Sequence, residues 1–112
     1  MMEKVNLDDL AYKLHQTAKS KGFYDSLDMK EFNSQAKQLA MIHSEVTEVL
    51  EALRKTKGEK AVVEELDDII VRVLDFWYSL YDAGVVNTSL HDMLGEKAKI
   101  NESRDKMHGV LG

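Results

Sequence analysis

Residues 28–58 read DMKEFNSQAKQLAMIHSEVTEVLEALRKTKG, and this stretch decides the fold. Asp28-Met29-Lys30-Glu31 has the spacing of a capping box, with Asp28 in the capping role. Beyond it the apolar positions Phe32, Ala36, Leu39, Ile42, Val46, Val49, Leu50 and Leu53 recur at helical spacing. The run closes at Arg54-Lys55-Thr56-Lys57-Gly58, with basic residues in the last turn and a glycine after them. One long helix is predicted here. A second follows at once, with Val62, Leu66, Ile69, Val73, Trp77 and Leu80 as its core stripe and Ala83-Gly84 as its end. Two long helices joined by a short turn pack antiparallel.

Working outward, Leu7, Leu10, Ala11, Leu14 and Ala18 predict a first helix over about residues 7–21, where Gly22 suits a C-terminal cap. A shorter fourth helix is predicted from about Ser89 to Arg104, followed by a tail from Met107 to Gly112. The expected fold is all-α, an antiparallel bundle of about four helices forming a single domain over residues 1–112. The central helices are so rich in apolar positions that another protomer is expected to complete the core.

Composition agrees with this reading. Proline is absent and glycine is down to six among 112 residues, which removes the main helix breakers. The lack of cysteine excludes disulfides, thiolate metal sites and a cysteine nucleophile. No signal-like start and no membrane-length apolar run is seen, so a cytoplasmic protein without a membrane partner is expected. A net charge of -5 argues against a nucleic-acid partner, because no basic stripe is present to displace counterions. A nucleotide could bind only with a cation between it and the protein.

Carboxylates are the obvious cation ligands. Glu45 and Glu48 are three apart on the second helix, and Glu65 and Asp68 three apart on the third, so each pair projects from one side of its helix. On the third helix Glu65, Asp68, Arg72 and Asp75 share a stripe bordering the core. Carboxylates at such a margin are partly desolvated and repel one another, a cost that a hard cation would remove. The structural alternative is an ion-pair network in which Arg72 serves Glu65, Asp68 or Asp75. On the fourth helix Lys97, Asn101 and Arg104 share a face able to hold phosphate oxygens, or else a face that is simply solvated.

In this order the segments resemble the MazG-like nucleotide pyrophosphohydrolases. Glu45-Val46-Thr47-Glu48, sixteen intervening residues, and Glu65-Leu66-Asp67-Asp68 match that family's paired Glu-x-x-Glu and Glu-x-x-Asp signature. Lys97, Asn101, Arg104, His108 and Gly109 match its later lysine, Asn-x-x-Arg and His-Gly, and Lys21-Gly22-Phe23 resembles the end of its first helix. Two positions depart from the pattern: Asp105 stands where a proline is common, and Val110 where a basic residue often follows His-Gly. The resemblance implies hydrolysis of a nucleoside triphosphate to monophosphate and pyrophosphate, in nucleotide-pool control or house-cleaning, by a homodimer or homotetramer. It further implies Mg2+, with Mn2+ able to substitute, held by Glu45, Glu48, Glu65 and Asp68. Lys97, Asn101 and Arg104 become the triphosphate contacts, and Glu48 is the choice for the catalytic base.

Other residues read more plainly. His43 is expected to be structural, His15 to be surface or packing, and Trp77 to be core, while Phe23 and Tyr24 in the connector are better placed to touch a base. A di-iron carboxylate bundle is set aside because it requires Glu-x-x-His on two helices. The rival from another class is a catalytically silent helical module for nucleotide sensing or dimerisation. A third reading keeps the chemistry and changes the substrate to a phosphoribosyl or modified nucleotide.

Overall fold

A computed structural model of the chain describes residues 6–104. The tail from Met107, with His108, Gly109, Asp105 and Val110, lies outside the described residues. Within them the chain forms four helices and no strand: α1 (Leu7–Ser20), α2 (Phe32–Arg54), α3 (Glu59–Asp82) and α4 (Leu90–Ser103). No described helix is long and apolar enough to cross a membrane.

Local chemistry accounts for the boundaries. The Asn6 side chain accepts from the Asp9 N–H at 2.8 Å and starts α1. At the other end Gly22 takes φ +85°, which lets Phe23 N–H reach the Ala18 carbonyl and Gly22 N–H the Lys19 carbonyl. Gly84 closes α3 the same way, with Val85 N–H on the Leu80 carbonyl. The Ser89 hydroxyl caps α4 by accepting from Asp92 N–H. Asp8 completes that cap from α1, its two carboxylate oxygens accepting from Leu90 N–H at 2.7 Å and His91 N–H at 3.0 Å.

Two expectations for α2 are corrected. The helix begins at Phe32, four residues after Asp28, because Asp28 shapes a tight turn instead: its side chain accepts from Lys30 N–H and its carbonyl from Glu31 N–H. That turn buries Met29, and Gln35 donates to the Met29 carbonyl at 2.8 Å, tying the turn to the helix. At its far end the left-handed residue is Thr56, at φ +53°, while Gly58 precedes α3 instead of closing α2. Lys57 N–H then reaches back to the Ala52 carbonyl.

Helix α3 is the centre of the molecule. Helices α1 and α2 both pack along it, and α4 rests lightly on α1. Ala11, Leu74 and Leu90 form the buried core, with Leu7, Leu14, Trp77 and Tyr78 against it. Much of the stripe read as the core of α2 faces outward: Phe32, Leu39, Val46, Leu50 and Leu53 are exposed while Ala36, Ile42 and Val49 are half-buried, and on α3 Leu66 and Val73 are exposed while Val62, Ile69, Trp77 and Leu80 are half-buried. The buried positions of α2 are Ser34, Gln38 and Ala52, whose small or amide side chains let α2 approach its neighbours closely. Helix α2 thus leaves much of its apolar stripe to the surroundings, while α3 turns Leu74 and Trp77 to the chain's own core.

Candidate metal centre

The α2–α3 hairpin sets the site. Positions 45 and 68 lie equally far along the chain from the centre of the 55–58 turn, as do 48 and 65, so antiparallel packing brings each acid level with its counterpart. One carboxylate oxygen from each of Glu45, Glu65 and Asp68 lies within 4.8 Å of the others. Glu48 sits at the outer side of this group, exposed, with its carboxyl close enough to act on both Glu45 and Glu65. The four carboxylates expected from the sequence therefore occupy one patch, three of them converging and the fourth at its rim.

Electrostatics makes the cluster costly when empty of cations. Burial pushes the Glu45 and Glu65 carboxyls above their ordinary value, and the adjacent Glu48 carboxylate pushes both further the same way. Arg72 draws Glu45 back and Lys57 draws Glu65 back. The Oε2 atom of Glu65 is enclosed and has no hydrogen-bond partner. A buried carboxylate oxygen left without a donor is the feature a bound cation would satisfy. The donor set is all oxygen, which suits a hard divalent ion such as Mg2+ and not a thiolate- or imidazole-seeking metal.

Arg72 pairs across the hairpin with Glu45, Nε to Oε1 at 3.7 Å, and not with the same-helix acids Glu65, Asp68 or Asp75 named for it from the sequence. Its guanidinium also lies over the Phe23 ring, 5.0 Å from the centroid. Beside the acids opens a cavity of about 310 Å³ between α1, α2 and α3. Lys21, Phe23 and Arg72 line it together with Glu45, Asp68 and Asp75. Two cations, an aromatic wall and the edge of the carboxylate cluster thus face one space.

The other expected residues divide. Phe23 lines the cavity, whereas the Tyr24 hydroxyl is enclosed beside Asp75 and Ser79, where burial and then the Asp75 charge push it well above its usual range. Tyr24 is absent from the lining of that cavity. His15 is packed, its Nδ1 2.8 Å from Asp75 Oδ1, with Tyr24 edge-on to its ring. His43 is exposed, and Trp77 is half-buried against the core. Lys97, Asn101 and Arg104 are exposed on α4, which rests on α1. Lys21 is the cation that sequence reasoning missed, although it sits in the Lys21-Gly22-Phe23 segment already singled out. Asp75 as the partner of His15 carried no sequence signal, since 60 residues separate them.

Comparison with protein-family models, with curated proteins and with solved structures returns no match for this chain.

Proposed function

We propose that this chain is a magnesium-dependent nucleoside triphosphate pyrophosphohydrolase. The observation that carries the reading is the convergence of Glu45, Glu65 and Asp68 from two helices, with Glu65 Oε2 buried and unsatisfied, at the edge of a cavity lined by Lys21, Arg72 and Phe23. Glu45, Glu48, Glu65 and Asp68 are the residues to hold Mg2+, or Mn2+ in its place. A bound ion would neutralise phosphate oxygens and lower the pKa of a coordinated water.

The remaining work falls to the chain itself. Glu48, the exposed rim carboxylate, accepts the proton of the attacking water at a carboxylate oxygen. The water oxygen forms a bond to the α-phosphorus as the bond from that phosphorus to the pyrophosphate oxygen breaks. Lys21 and Arg72 face the triphosphate from within the same chain, and Phe23 offers a flat apolar surface to the base. Positioning and charge compensation suffice for such a displacement, and no nucleophilic side chain is called for.

A second copy of this chain is the natural cover for the outward apolar stripe of α2 and α3, since an α-helix of the length of α2, about 34 Å by the usual rise, offers a matching stripe to its twin. Homodimer or homotetramer formation is also the route by which Lys97, Asn101 and Arg104 reach phosphate oxygens, from the α4 of a neighbouring copy.

The test is to incubate the pure protein and Mg2+ with a panel of canonical and modified nucleotides and to identify the products. Monophosphate and pyrophosphate released in one step are expected. Release of orthophosphate with a diphosphate would falsify the reading. Absence of turnover across the panel with nucleotide binding or self-association intact would favour the silent module.

A further inference from the structure

We propose that Arg72 is a two-position residue: it neutralises Glu45 while the carboxylate cluster holds no divalent cation, and turns to the phosphate oxygens of the substrate once a cation takes Glu45. The inference rests on the metal-site reading above and adds an order of binding to it, cation first and polyphosphate second.

The geometry of the pair is the starting point. Arg72 Nε stands 3.7 Å from Glu45 Oε1, and the two side chains are 21 and 19% exposed. A charge-assisted hydrogen bond of full strength would bring such atoms to about 2.7–2.9 Å. The contact is therefore an attraction without a lock, readily exchanged. Among the described residues no hydrogen bond fixes the guanidinium, although it carries five N–H donors. What does hold it is the face of Phe23, 5.0 Å away, and Phe23 is itself anchored by the Gly22 turn through its N–H to the Ala18 carbonyl. A guanidinium resting on a ring can slide across it with little loss, because the attraction is to the whole face.

Glu45 cannot serve two cations well. Its carboxylate lies close both to Arg72 and to Glu65 and Asp68. A dication among those three acids replaces the compensation that Arg72 supplies and repels the guanidinium as a like charge. The cavity beside Phe23 is where the freed group can turn, and Lys21 already lines that cavity. With the acids neutralised, Arg72 and Lys21 become an anion site fitted to adjacent phosphate groups, the fork of the arginine taking two oxygens and the lysine acting as a point charge. Before the cation arrives, Arg72 is engaged by Glu45, and the uncompensated charge of Asp68 at the same cavity edge disfavours a polyphosphate.

The experiment uses the full chain and reads binding, not turnover. Mg2+ alone is titrated calorimetrically into wild type, Arg72→Gln and Arg72→Lys, and a non-hydrolysable nucleoside triphosphate is then titrated at saturating Mg2+. Arg72→Gln is expected to bind Mg2+ alone several-fold more tightly, because its competitor is gone, and to bind the nucleotide about tenfold more weakly, the loss of one hydrogen-bonded charge. Arg72→Lys should keep a near wild-type Mg2+ affinity and still lose nucleotide affinity. In wild type, which needs no folded variant, the Arg72 Nε–H resonance should shift on adding Mg2+ and shift again on adding nucleotide. Unchanged or weaker Mg2+ binding by a folded Arg72→Gln, or an Nε–H signal indifferent to Mg2+, overturns the two-position role while leaving the metal site standing. Failure of wild type to bind Mg2+ at all overturns both.

Discussion

His15 Nδ1 meets Asp75 Oδ1 at 2.8 Å, joining α1 to α3 behind the cavity with both side chains almost wholly buried. The Tyr24 ring stands edge-on to His15, and Asp75 itself lines the cavity, so the pair is the rear wall of the candidate site. His15→Ala leaves a buried carboxylate without its partner and should cost about 3 kcal/mol of stability, the low end for breaking a buried pair on one side. Urea unfolding of the variant measures it. A loss below about 0.5 kcal/mol, the scale of an ordinary surface change, would mean the pair does not hold the wall.

Metal-free stability should fall as pH rises from the ordinary carboxylate value of 4.5 through the raised values of Glu45 and Glu65. The sign follows from linkage: the folded state binds these protons more tightly than the unfolded chain, so their contribution is complete below the unfolded value and is lost above the folded one. Mg2+ competes with the same protons, and its affinity should climb over the same interval. Glu65→Gln should flatten the dependence, since it removes one of the raised groups and the repulsion with Glu48. It should also cut turnover at least a hundredfold, given that even residues behind metal ligands change activity by about 10- to 100-fold. Circular-dichroism melts in chelator from about pH 4 to 8 measure this dependence.

Thr56 takes a left-handed backbone at φ +53°, unusual for a β-branched residue. That conformation costs an L-residue about 1–2 kcal/mol, while glycine loses about 0.5–1 kcal/mol in extra chain entropy. Thr56→Gly should therefore stabilise the protein by about 0.5–1 kcal/mol, visible as a higher urea midpoint with an unchanged slope. Destabilisation would show that the Thr56 side chain is needed at the turn.

If α4 serves a neighbouring copy, the defects in the two halves of the site are complementary. Glu65→Gln and Arg104→Ala should each be nearly inactive alone, yet a refolded mixture should regain turnover, because one mixed site then holds both intact halves. No recovery on mixing, with each variant still self-associating, would confine α4 to its own chain or remove it from the site.

The carboxylate cluster was legible in the sequence for a mechanical reason. Spacing of three fixes which side of a helix Glu45, Glu48, Glu65 and Asp68 share, and a short turn fixes the register between helices. Glycines at 22 and 84 act locally, which is why the ends of α1 and α3 were legible too, whereas the Asn6 cap of α1 was not read. Periodicity reports that a face is apolar but not what covers it, which is why the Phe32, Leu39, Val46, Leu50 and Leu53 stripe, read as core, lies on the outside. Asp28 carried a valid cap pattern that lost to the burial of Met29. The Arg72–Glu45 and His15–Asp75 pairs are long-range choices among several chemically equivalent partners, and only packing decides them.

The grip of Asp8 on Leu90 and His91 makes α4 a lever. Its root is clamped by two hydrogen bonds and by the buried Leu90, while the side chains from His91 to Arg104 are exposed. A helix of this length reaches about 21 Å, so a tilt of about 10° at the root sweeps the far end by about 4 Å. Where Asn101 and Arg104 can deliver their side chains is thus governed at the opposite end of the helix, by one aspartate on α1.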